Sequence, residues 1–319
     1  MNRGTGTAVS IAAALSLISS GAEARTPPAR IALTYDDLPA LTLSDEQSYV
    51  DDITKRLLAG LKRHRLPATG FVIEGELEQL DRARQIAALQ AWLDAGMDLG
   101  NHSYSHESPN DIGADAYVAD IARGEPATKA LLAGYGKAMR WYRFPYLETG
   151  ETAAAKKTIA DWLAAHHYRI APVTMNADDW EFAEPYDDAI LHGDEARKLA
   201  IRRQFLAYTE KMIVWYRKAA HALFGRDIAY VMLLHATRLE ADCVDDFAAM
   251  LKRHGLRGVT LDEAMADPAY KTPDPYVGAD GVDWMERWSD ALHKNLPWES
   301  YSEVPKDIQQ DYDRVDKDR

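Results

Sequence analysis

His102 and His106 lie four residues apart, directly after a short apolar run that is typical of a strand. Two imidazoles at this spacing, on a strand-end loop or on one helical turn, can bind a single divalent metal ion. A second apolar run ends at the carboxylates of Asp36 and Asp37. Two histidines and one carboxylate leave positions on a metal ion for water and a substrate, so these residues predict a metal site that is open to both.

Other polar residues also follow apolar, strand-like runs. They are Arg143 and Tyr146, then Asp178, Asp179 and Trp180, and finally His235, which ends the most apolar strand in the chain. Each has an ordinary alternative, because an aspartate pair often caps a turn or helix and a lone histidine after a strand is usually a core or loop residue. The segment from 178 to 180 can equally be a solvated loop with one buried tryptophan. The functional interpretation therefore depends on their joint placement.

Strand-like and helix-like segments alternate along the chain. Strands are predicted over Ile31–Tyr35, Ala68–Ile73, Met97–Gly100, Arg140–Phe144, Tyr168–Val173, Ile228–Leu234 and Gly258–Leu261. Helices are predicted over Glu46–His64, Arg82–Asp94, Ala114–Leu132, Glu151–His166, Ala196–Phe224 and Val244–His254, with a kink or join at Pro126. About seven such units predict a parallel sheet covered by helices.

We expect this α/β sheet to close into a distorted, seven-stranded (β/α) barrel, with its chemistry at the carboxyl ends of the strands. An open doubly wound sheet is the alternative. The sequence has no G-x-G-x-x-G after a strand and no P-loop, so a nucleotide-binding version has little support.

Composition limits the classes of function. The chain has 319 residues, of which 47% are apolar, and a formal net charge of -13. This is enough for one large core, and the negative charge argues against nucleic acid as a partner. Cys243 is the only cysteine, so an intramolecular disulfide is impossible, and we interpret it as a small buried residue. A catalytic thiol would lack an obvious neighbouring base.

The first 24 residues have the features of a secretory signal peptide. Arg3 supplies a positive charge, residues 8–18 are apolar but too short to span a bilayer, and residues 22–24 form an A-x-A cleavage signal. The alternative is a disordered or helical N-terminus. We therefore expect a secreted or periplasmic protein. No other stretch is long and apolar enough to span a membrane.

Beyond the predicted catalytic domain, residues 25–266, the pattern of alternating elements weakens. We expect residues 267–319 to form a C-terminal extension that packs on the barrel or trails from it, and its mostly charged end, residues 302–319, to be solvated or frayed. The tryptophans of the extension can stack on sugar rings or pack the extension onto the barrel, and the packing interpretation is favoured. They are Trp284, Trp288 and Trp298.

Five short motifs resemble those of one known family. Thr34-Tyr-Asp-Asp37 is similar to its T-F-D-D motif, His102-Ser-Tyr-Ser-His106 to H-[ST]-x-x-H, and Arg143-Phe-Pro-Tyr146 to R-x-P-[YF]. Asp179-Trp180 and Leu233-Leu-His235 are similar to its D-W and L-x-H elements. The motifs occur in the family's order. The chain thus resembles the polysaccharide deacetylases, which carry the NodB homology domain of carbohydrate esterase family four.

The resemblance implies a metal ion held by Asp37, His102 and His106. It implies that Asp36 is the general base, taking a proton from metal-bound water, and that Arg143 keeps this base ionised and oriented. Hydrolysis of an amide needs an activated nucleophile, and a Zn²⁺-like ion lowers the pKa of water from about 16 toward about 7 and polarises the carbonyl group. Zn²⁺ is the expected ion.

The same resemblance implies roles for the remaining motif residues. The backbone N–H of Tyr146 would help to hold the oxyanion, and His235 would be the general acid. Asp179 would pair with His235 or with the arginine. Trp180 and Leu233 would wall the pocket for the acetyl methyl group.

The implied function is removal of N-acetyl or O-acetyl groups from an acetylated polysaccharide or oligosaccharide. Two alternatives remain open, namely a metal-dependent hydrolase of a small amide and a catalytically silent carbohydrate-binding protein on the same scaffold. Retention of both the base and the acid speaks against the silent form.

Three positions depart from the family's pattern. Leu38, followed by Pro39, stands where glycine is frequent, Leu147 stands at another such position, and Asn176 replaces a frequent aspartate. None of them removes a proposed ligand, acid or base, but they leave the identity of the sugar chain open. Residues 181–226 are a long segment that could form part of the substrate rim.

Overall fold

The computed structural model describes residues 1–2, 4 and 28–316, so the predicted signal peptide lies almost wholly outside the described residues. Within these described residues, seven parallel strands form one sheet. They are β1 (Ala29–Leu38), β2 (Ala68–Val72), β3 (Asp98–Asn101), β4 (Trp141–Tyr142), β5 (Arg169–Ile170), β6 (Ala229–His235) and β7 (Leu256–Gly258). Their order is β5-β4-β3-β2-β1-β6, and β7 pairs with the beginning of β1.

Helices cover the sheet between the strands. They are α1 (Gln47–His64), α2 (Arg82–Asp94), α3 (Pro109–Ile112), α4 (Ala114–Arg123), α5 (Pro126–Gly134), α6 (Ala153–Ala165), α7 (Asp179–Leu191), α8 (Glu195–Phe224), α9 (Arg238–Arg253), α10 (Leu261–Met265), α11 (Trp284–Leu292) and α12 (Lys306–Val315). No helix in the part of the chain that the structure describes is long and apolar enough to cross a membrane.

The sheet curls on itself through the segment that follows β5. Met175 pairs in parallel with Met232 of β6, and the Leu233 N–H donates to the Met175 carbonyl oxygen at 3.0 Å. The two ends of the strand order thus approach each other, and the prediction of a distorted (β/α) barrel is confirmed. β4 and β5 have only two residues each, shorter than the sequence predicts, because the chain leaves the sheet early to form the loops around the site.

Side-chain alternation sets what each face of the sheet carries. Ala32 of β1 and Val231 of β6 belong to a small buried cluster on the inner face, whereas Ile31, Leu33 and Tyr35 pack outward in the larger core. Because successive side chains of a strand point to opposite faces, the inner face continues at the ends of both strands with polar residues. The alternation therefore places polar side chains that can take part in a reaction at one end of the barrel.

The join predicted at Pro126 is confirmed, whereas one other prediction needs correction. The helical stretch predicted over Ala114–Leu132 divides into two helices, because α4 ends at Arg123 and Pro126 begins α5 as its first residue. Proline is well suited to that position, since its missing N–H would have no intrahelical partner there. Residues 302–319 are not simply solvated or frayed, because α12 occupies much of this segment.

The C-terminal extension packs on the helices of the barrel. α11 contacts α8, and α12 contacts α7. Trp284 and Trp288 are buried, so they pack the extension onto the barrel, whereas Trp298 is 50% exposed. The segment predicted as a possible rim, residues 181–226, consists largely of α7 and α8 and forms the surface that receives the extension.

Candidate metal and acid–base site

Three side chains meet at the carboxyl ends of β1 and β3. Oδ1 of Asp37 lies 3.4 Å from Nε2 of His102 and 3.4 Å from Nε2 of His106. One ligand atom from each of the three residues lies within 4.8 Å of the others. Asp37 has a φ of 59°, which turns its side chain out of the alternation of β1 and toward the histidines.

These donors fit a divalent ion. Ligand atoms about 2.0–2.2 Å from a tetrahedral Zn²⁺ are separated from one another by roughly 3.3 Å, close to the spacing around Asp37. Oδ1 of Asp37 is buried and has no hydrogen-bond partner among the described residues. A buried carboxylate oxygen without a partner is costly, and a cation would satisfy it. Two imidazoles and a carboxylate are also the usual ligands of zinc.

A hydrogen bond to the main chain fixes the orientation of the His102 ring. Its Nδ1 lies 2.8 Å from the carbonyl oxygen of Arg143. A carbonyl oxygen only accepts hydrogen bonds, so Nδ1 carries the proton and the lone pair of Nε2 faces Asp37. A partner of this kind is common for metal-binding histidines because it sets both the tautomer and the direction of the ring.

Asp36 is held by a buried arginine. Nη1 of Arg143 lies 3.1 and 3.0 Å from the two carboxylate oxygens of Asp36, while Nη2 donates to Oγ1 of Thr34 and Nε to the carbonyl oxygen of Ala171. Arg143 is fully buried. Burial lowers the pKa of Arg143, and the adjacent carboxylate opposes that shift. The pair places a carboxylate 3.7 Å from Nε2 of His102.

His235 pairs with Asp179 on the other side of the site. Its Nδ1 lies 2.8 Å from Oδ1 of Asp179, and its backbone N–H donates to Oδ2 at 2.7 Å. Nε2 then faces the site and lies 3.9 Å from Oδ2 of Asp37. Of the two pairings that the resemblance implies for Asp179, the structure places this residue with His235.

Burial and neighbouring charges shift the pKa values of the titratable groups in different directions. Burial alone would lower the pKa of His235, but the Asp179 carboxylate raises it to about 10. Burial lowers the pKa of His106 to about 4, against the attraction of Asp37. Burial would raise the pKa of Asp37, but the surrounding histidines, with His106 the strongest, hold it well below its usual range. The arrangement thus offers a protonated imidazole beside an imidazole that is neutral at pH 7.

Tyr146 borders the histidines from the loop after β4. Its ring meets that of His106 edge to face, with centroids 4.6 Å apart. Tyr146 and Leu147 have φ angles of 53° and 59°, a left-handed conformation that residues other than glycine rarely adopt. Leu147, one of the departures from the family's pattern, thus takes a conformation that glycine would adopt without strain. The loop that carries the expected oxyanion donor is strained and must be held by its surroundings.

The two residues expected to wall an acetyl pocket lie in different surroundings. Leu233 is buried on β6, two residues before His235. Trp180 is half-buried in the first turn of α7, and its ring meets Tyr312 of α12 at a centroid distance of 4.9 Å. Asn176 and Asp178 lie at the entry to α7, where the amide of Asn176 donates to the Asp178 carboxylate.

Three further residues support the site and were not predicted. Thr34 donates to the Met232 carbonyl oxygen at 2.6 Å and accepts from Arg143, so it links two strands to the arginine. Glu240 is fully buried near Asp179, and burial, then that negative charge, raises its pKa well above its ordinary value. Arg287 reaches the Tyr146 loop from the C-terminal extension. Thr34 could have been found from its place in the first motif, whereas no sequence pattern marks the other two.

Comparison with known proteins finds similarity to deacetylases. The family model described as "Polysaccharide deacetylase" matches residues 23–161. A peptidoglycan-N-acetylglucosamine deacetylase of Bacillus cereus is 29% identical over 154 residues, which are 48% of this chain and 47% of the relative. A chitin deacetylase of Colletotrichum lindemuthianum is 22% identical over 242 residues, covering 76% of this chain and 82% of the relative. The match thus spans about half the length of the first of these relatives.

A solved structure shares the fold. It is a pseudoenzyme of carbohydrate esterase family four from Bacillus anthracis, with a TM-score of 0.51, 16% sequence identity, and coverage of 75% of this chain and 66% of the other. At this identity the likeness shows the fold alone. Residues 23–161 thus match the model of the polysaccharide deacetylase family, and the solved structure shares the fold.

Proposed function

We propose that the protein is a metal-dependent hydrolase that removes N-acetyl or O-acetyl groups from a polysaccharide. One observation carries the proposal: Asp37, His102 and His106 form a possible metal site between Asp36, 3.7 Å from Nε2 of His102, and His235, whose Nε2 lies 3.9 Å from Oδ2 of Asp37. Hydrolysis of an amide needs a base for the attacking water and an acid for the leaving amine, and Asp36 and His235 offer both.

Each side chain has a defined task in this proposal. A divalent ion, when bound, would lower the pKa of a water molecule and polarise the acetyl carbonyl. Asp36 accepts the proton of the attacking water, and Arg143 stabilises the carboxylate before that transfer. The backbone N–H of Tyr146 hydrogen-bonds the oxyanion as it forms. His235 gives its Nε2 proton to the leaving nitrogen, while Asp179 stabilises the imidazolium beforehand.

The expected sizes of these effects are unequal. A general base and a general acid each contribute roughly 10²–10⁴-fold in rate. One fixed oxyanion donor is worth on the order of 10²–10³-fold. Leu233 and Trp180 wall the pocket for the methyl group, which selects acetyl over larger acyl groups through shape alone. Loss of either wall should therefore cost less than loss of the base or the acid.

The substrate class rests on the family and its named relatives. The two relatives above are described as deacetylases of peptidoglycan N-acetylglucosamine and of chitin. We propose an acetylated glycan as the substrate, and the assay below identifies which sugar chain it is. Zn²⁺ is the proposed ion because imidazole and carboxylate ligands in a closely spaced trio suit it.

Acetate release tests the proposal. The purified protein is incubated with acetylated peptidoglycan fragments, chitin oligomers, acetylated xylan and small acetamides, each with chelator and with added Zn²⁺. We expect acetate from at least one glycan, abolished by chelator and restored by Zn²⁺. Release from the small acetamides but from no glycan would replace the proposal with a small-amide hydrolase. Binding of a glycan without any acetate would favour a silent protein like the Bacillus anthracis pseudoenzyme.

We also propose that the protein acts outside the cytoplasm. The support is the sequence of residues 1–24, with its charged start, short apolar run and A-x-A signal. Expression of the full chain in a bacterium with a secretory system should give a mature protein that begins at Arg25, read by mass spectrometry. An unprocessed chain that remains in the cytoplasm would contradict the proposal.

A further inference from the structure

One segment of the C-terminal extension contacts the loop that carries Tyr146. We call this segment, residues 274–287, the strap. It lies beyond both the family match and the catalytic domain expected from the sequence. At its beginning, Nζ of Lys156 donates to the Asp274 carboxylate and to the carbonyl oxygens of Asp274 and Tyr276. Near its end, the Trp284 N–H donates to the Val173 carbonyl oxygen at 2.8 Å. The strap is therefore anchored to the barrel at both ends.

Arg287 connects the strap to the loop that carries Tyr146. Its Nη2 donates to the Leu147 carbonyl oxygen at 2.7 Å, and its Nη1 donates to Oγ1 of Thr149 at 3.1 Å. The guanidinium is fully buried, and it lies over the rings of Tyr276 and Trp284, 4.9 and 4.3 Å from their centroids. Such packing and forked hydrogen bonding fix its position tightly.

The strap also touches Tyr146 directly through a glycine. A Cβ atom added to Gly281 would overlap the carbonyl oxygen of Tyr146, so only glycine allows this approach of the two backbones. Asn110 adds a second link, because its Nδ2 donates to the Ala279 carbonyl oxygen of the strap and to the Glu148 carboxylate. The strap thus braces the Tyr146 loop together with the helix that follows His106.

The bracing has a physical purpose, because two consecutive non-glycine residues of the loop are left-handed. Each left-handed residue is strained relative to an ordinary backbone conformation, because its Cβ atom lies too close to the following carbonyl oxygen. The bond from Arg287 to the Leu147 carbonyl oxygen holds the second of them, and contact with Gly281 limits the carbonyl of Tyr146. Without these contacts the peptide between Pro145 and Leu147 would relax, and its N–H groups would change direction.

We propose that the strap is a working part of the active site and that Arg287 is a positioning residue, which aims the backbone N–H of Tyr146 at the oxyanion. The inference rests on the proposed function. Arg287 forms its hydrogen bonds with the loop and with the strap, not with the metal ligands, so it acts only through the loop. Its loss should therefore reduce the rate of the chemical step while leaving substrate affinity and metal affinity in place.

Two variants test the inference, and each has a matched control. Arg287→Met removes the guanidinium. Its control, Arg217→Met, removes a guanidinium that binds Asp227 and the His254 carbonyl oxygen near the amino end of β6, away from the site. Gly281→Ala pushes on Tyr146 while the rest of the strap is intact. Its control, Gly134→Ala at the end of α5, adds a Cβ atom that has no neighbouring heavy atom within 4 Å in the part of the chain that the structure describes.

We expect Arg287→Met and Gly281→Ala to lower kcat by about 10- to 100-fold, a part of what a whole oxyanion donor is worth. KM and the affinity for Zn²⁺ should stay within about twofold, since neither variant alters the ligands or the sugar contacts. Arg287→Lys should recover part of the lost kcat because an ammonium group can reach one carbonyl oxygen. Hydrogen exchange in residues 144–150 should become faster in both variants but in neither control.

The outcomes separate this inference from the proposed function. If the wild-type protein releases acetate and both variants fold with kcat within about twofold of it, the strap has no positioning role. If Arg287→Met does not fold, Gly281→Ala decides alone, since Gly281 is exposed. If the wild-type protein releases no acetate and binds no Zn²⁺, the proposed function is wrong, and the inference, which depends on it, is wrong as well.

Discussion

Three side chains of the candidate site, His102, Asp36 and His235, each have a partner that fixes their direction or their charge. The Arg143 carbonyl sets the tautomer of His102, and the guanidinium of the same residue holds Asp36. Asp179 holds His235 through both its side chain and its backbone. One arginine therefore orients a proposed metal ligand with its main chain and the proposed base with its side chain. Loss of Arg143 should disturb both functions at once.

Replacing Asp36 with asparagine should separate chemistry from metal binding. The asparagine side chain has nearly the same shape but cannot accept a proton at neutral pH, so we expect kcat to fall by about 10²–10⁴-fold. Zn²⁺ content should remain near one per chain, because the three proposed ligands are intact. Acetate release and metal analysis on the same sample measure both. A fully active Asp36→Asn variant would mean that the base lies elsewhere.

That variant also leaves the Arg143 guanidinium buried without a carboxylate. An unpaired buried charge costs roughly 3–5 kcal/mol. Its melting temperature should therefore be measured beside its activity, so that a loss of rate is assigned only to protein that is folded at the assay temperature.

Asp179→Asn should shift the pH profile. The Asp179 carboxylate is what raises the pKa of His235 to about 10 against the opposite effect of burial. Without that charge the pKa of His235 falls, and the proton needed for the leaving amine is lost at lower pH. The alkaline limb of kcat/KM should therefore move to lower pH. An alkaline limb at the same pH in both proteins would remove His235 from the role of acid.

The same pair has a consequence for stability. His235 has a raised pKa in the folded protein, compared with its ordinary value of 6.5. Its contribution to stability is fully present below about pH 6.5 and is lost as the pH rises through about 10. In Asp179→Asn this contribution should disappear, which unfolding curves measured at about pH 6 and about pH 9 would detect as a smaller difference between the two.

At the level of secondary structure, the sequence predicts the long elements well and the short ones poorly. β1 and β6 carry continuous apolar runs, and α8 carries a long amphipathic pattern, so local sequence determines them. β4 and β5 have two residues each and exist because neighbouring strands pair with them. Such short strands depend on tertiary contacts, and no local pattern gives their ends.

Helix α12 was not predicted from the sequence, because its segment consists mostly of charged and polar residues. Residues 302–319 are mostly polar, yet Ile308, Tyr312 and Val315 recur at spacings of four and three and are all buried. This periodicity is a helical signal that outweighs the overall composition. The signal was present in the sequence and could have corrected the expectation of a solvated end.

Ile308→Ala tests the packing of α12 on α7. Ile308 is fully buried, so truncation should lower the free energy of unfolding by about 2–4 kcal/mol, as for other buried isoleucines. Asp313→Ala on the exposed face of the same helix is the matched control and should change it by less than about 0.5 kcal/mol. Chemical denaturation measures both. Equal stability of the two variants would mean that α12 does not pack in solution as described.

Over the whole molecule, the candidate site could be predicted because of the fold class. The carboxyl ends of parallel strands converge at one end of a barrel, so motifs that are far apart in sequence meet there. The residues that support them from a distance could not be predicted. Arg287 lies next to Glu286 in an amphipathic helix, where the sequence alone does not indicate a buried arginine, and only the packed extension brings it to Leu147.

Metal binding should stabilise the entire chain. A ligand that binds only the folded state at about 100 times its Kd adds about 2.7 kcal/mol. We expect Zn²⁺ to raise the melting temperature of chelator-treated protein. His106→Ala should lose most of that increase, whereas His64→Ala, a change at a histidine paired with Asp245 outside the site, should keep it. Equal increases in both variants would place the metal elsewhere.

The pairing of β1 with β6 sets a limit on how relatives of this chain can diverge. Asp36 and His235 are direct partners in the register of these two strands. One residue inserted into or deleted from either strand would turn one of the two side chains to the opposite face of the sheet. A lineage that keeps both groups can therefore gain or lose residues in the loops between these strands, but not inside them.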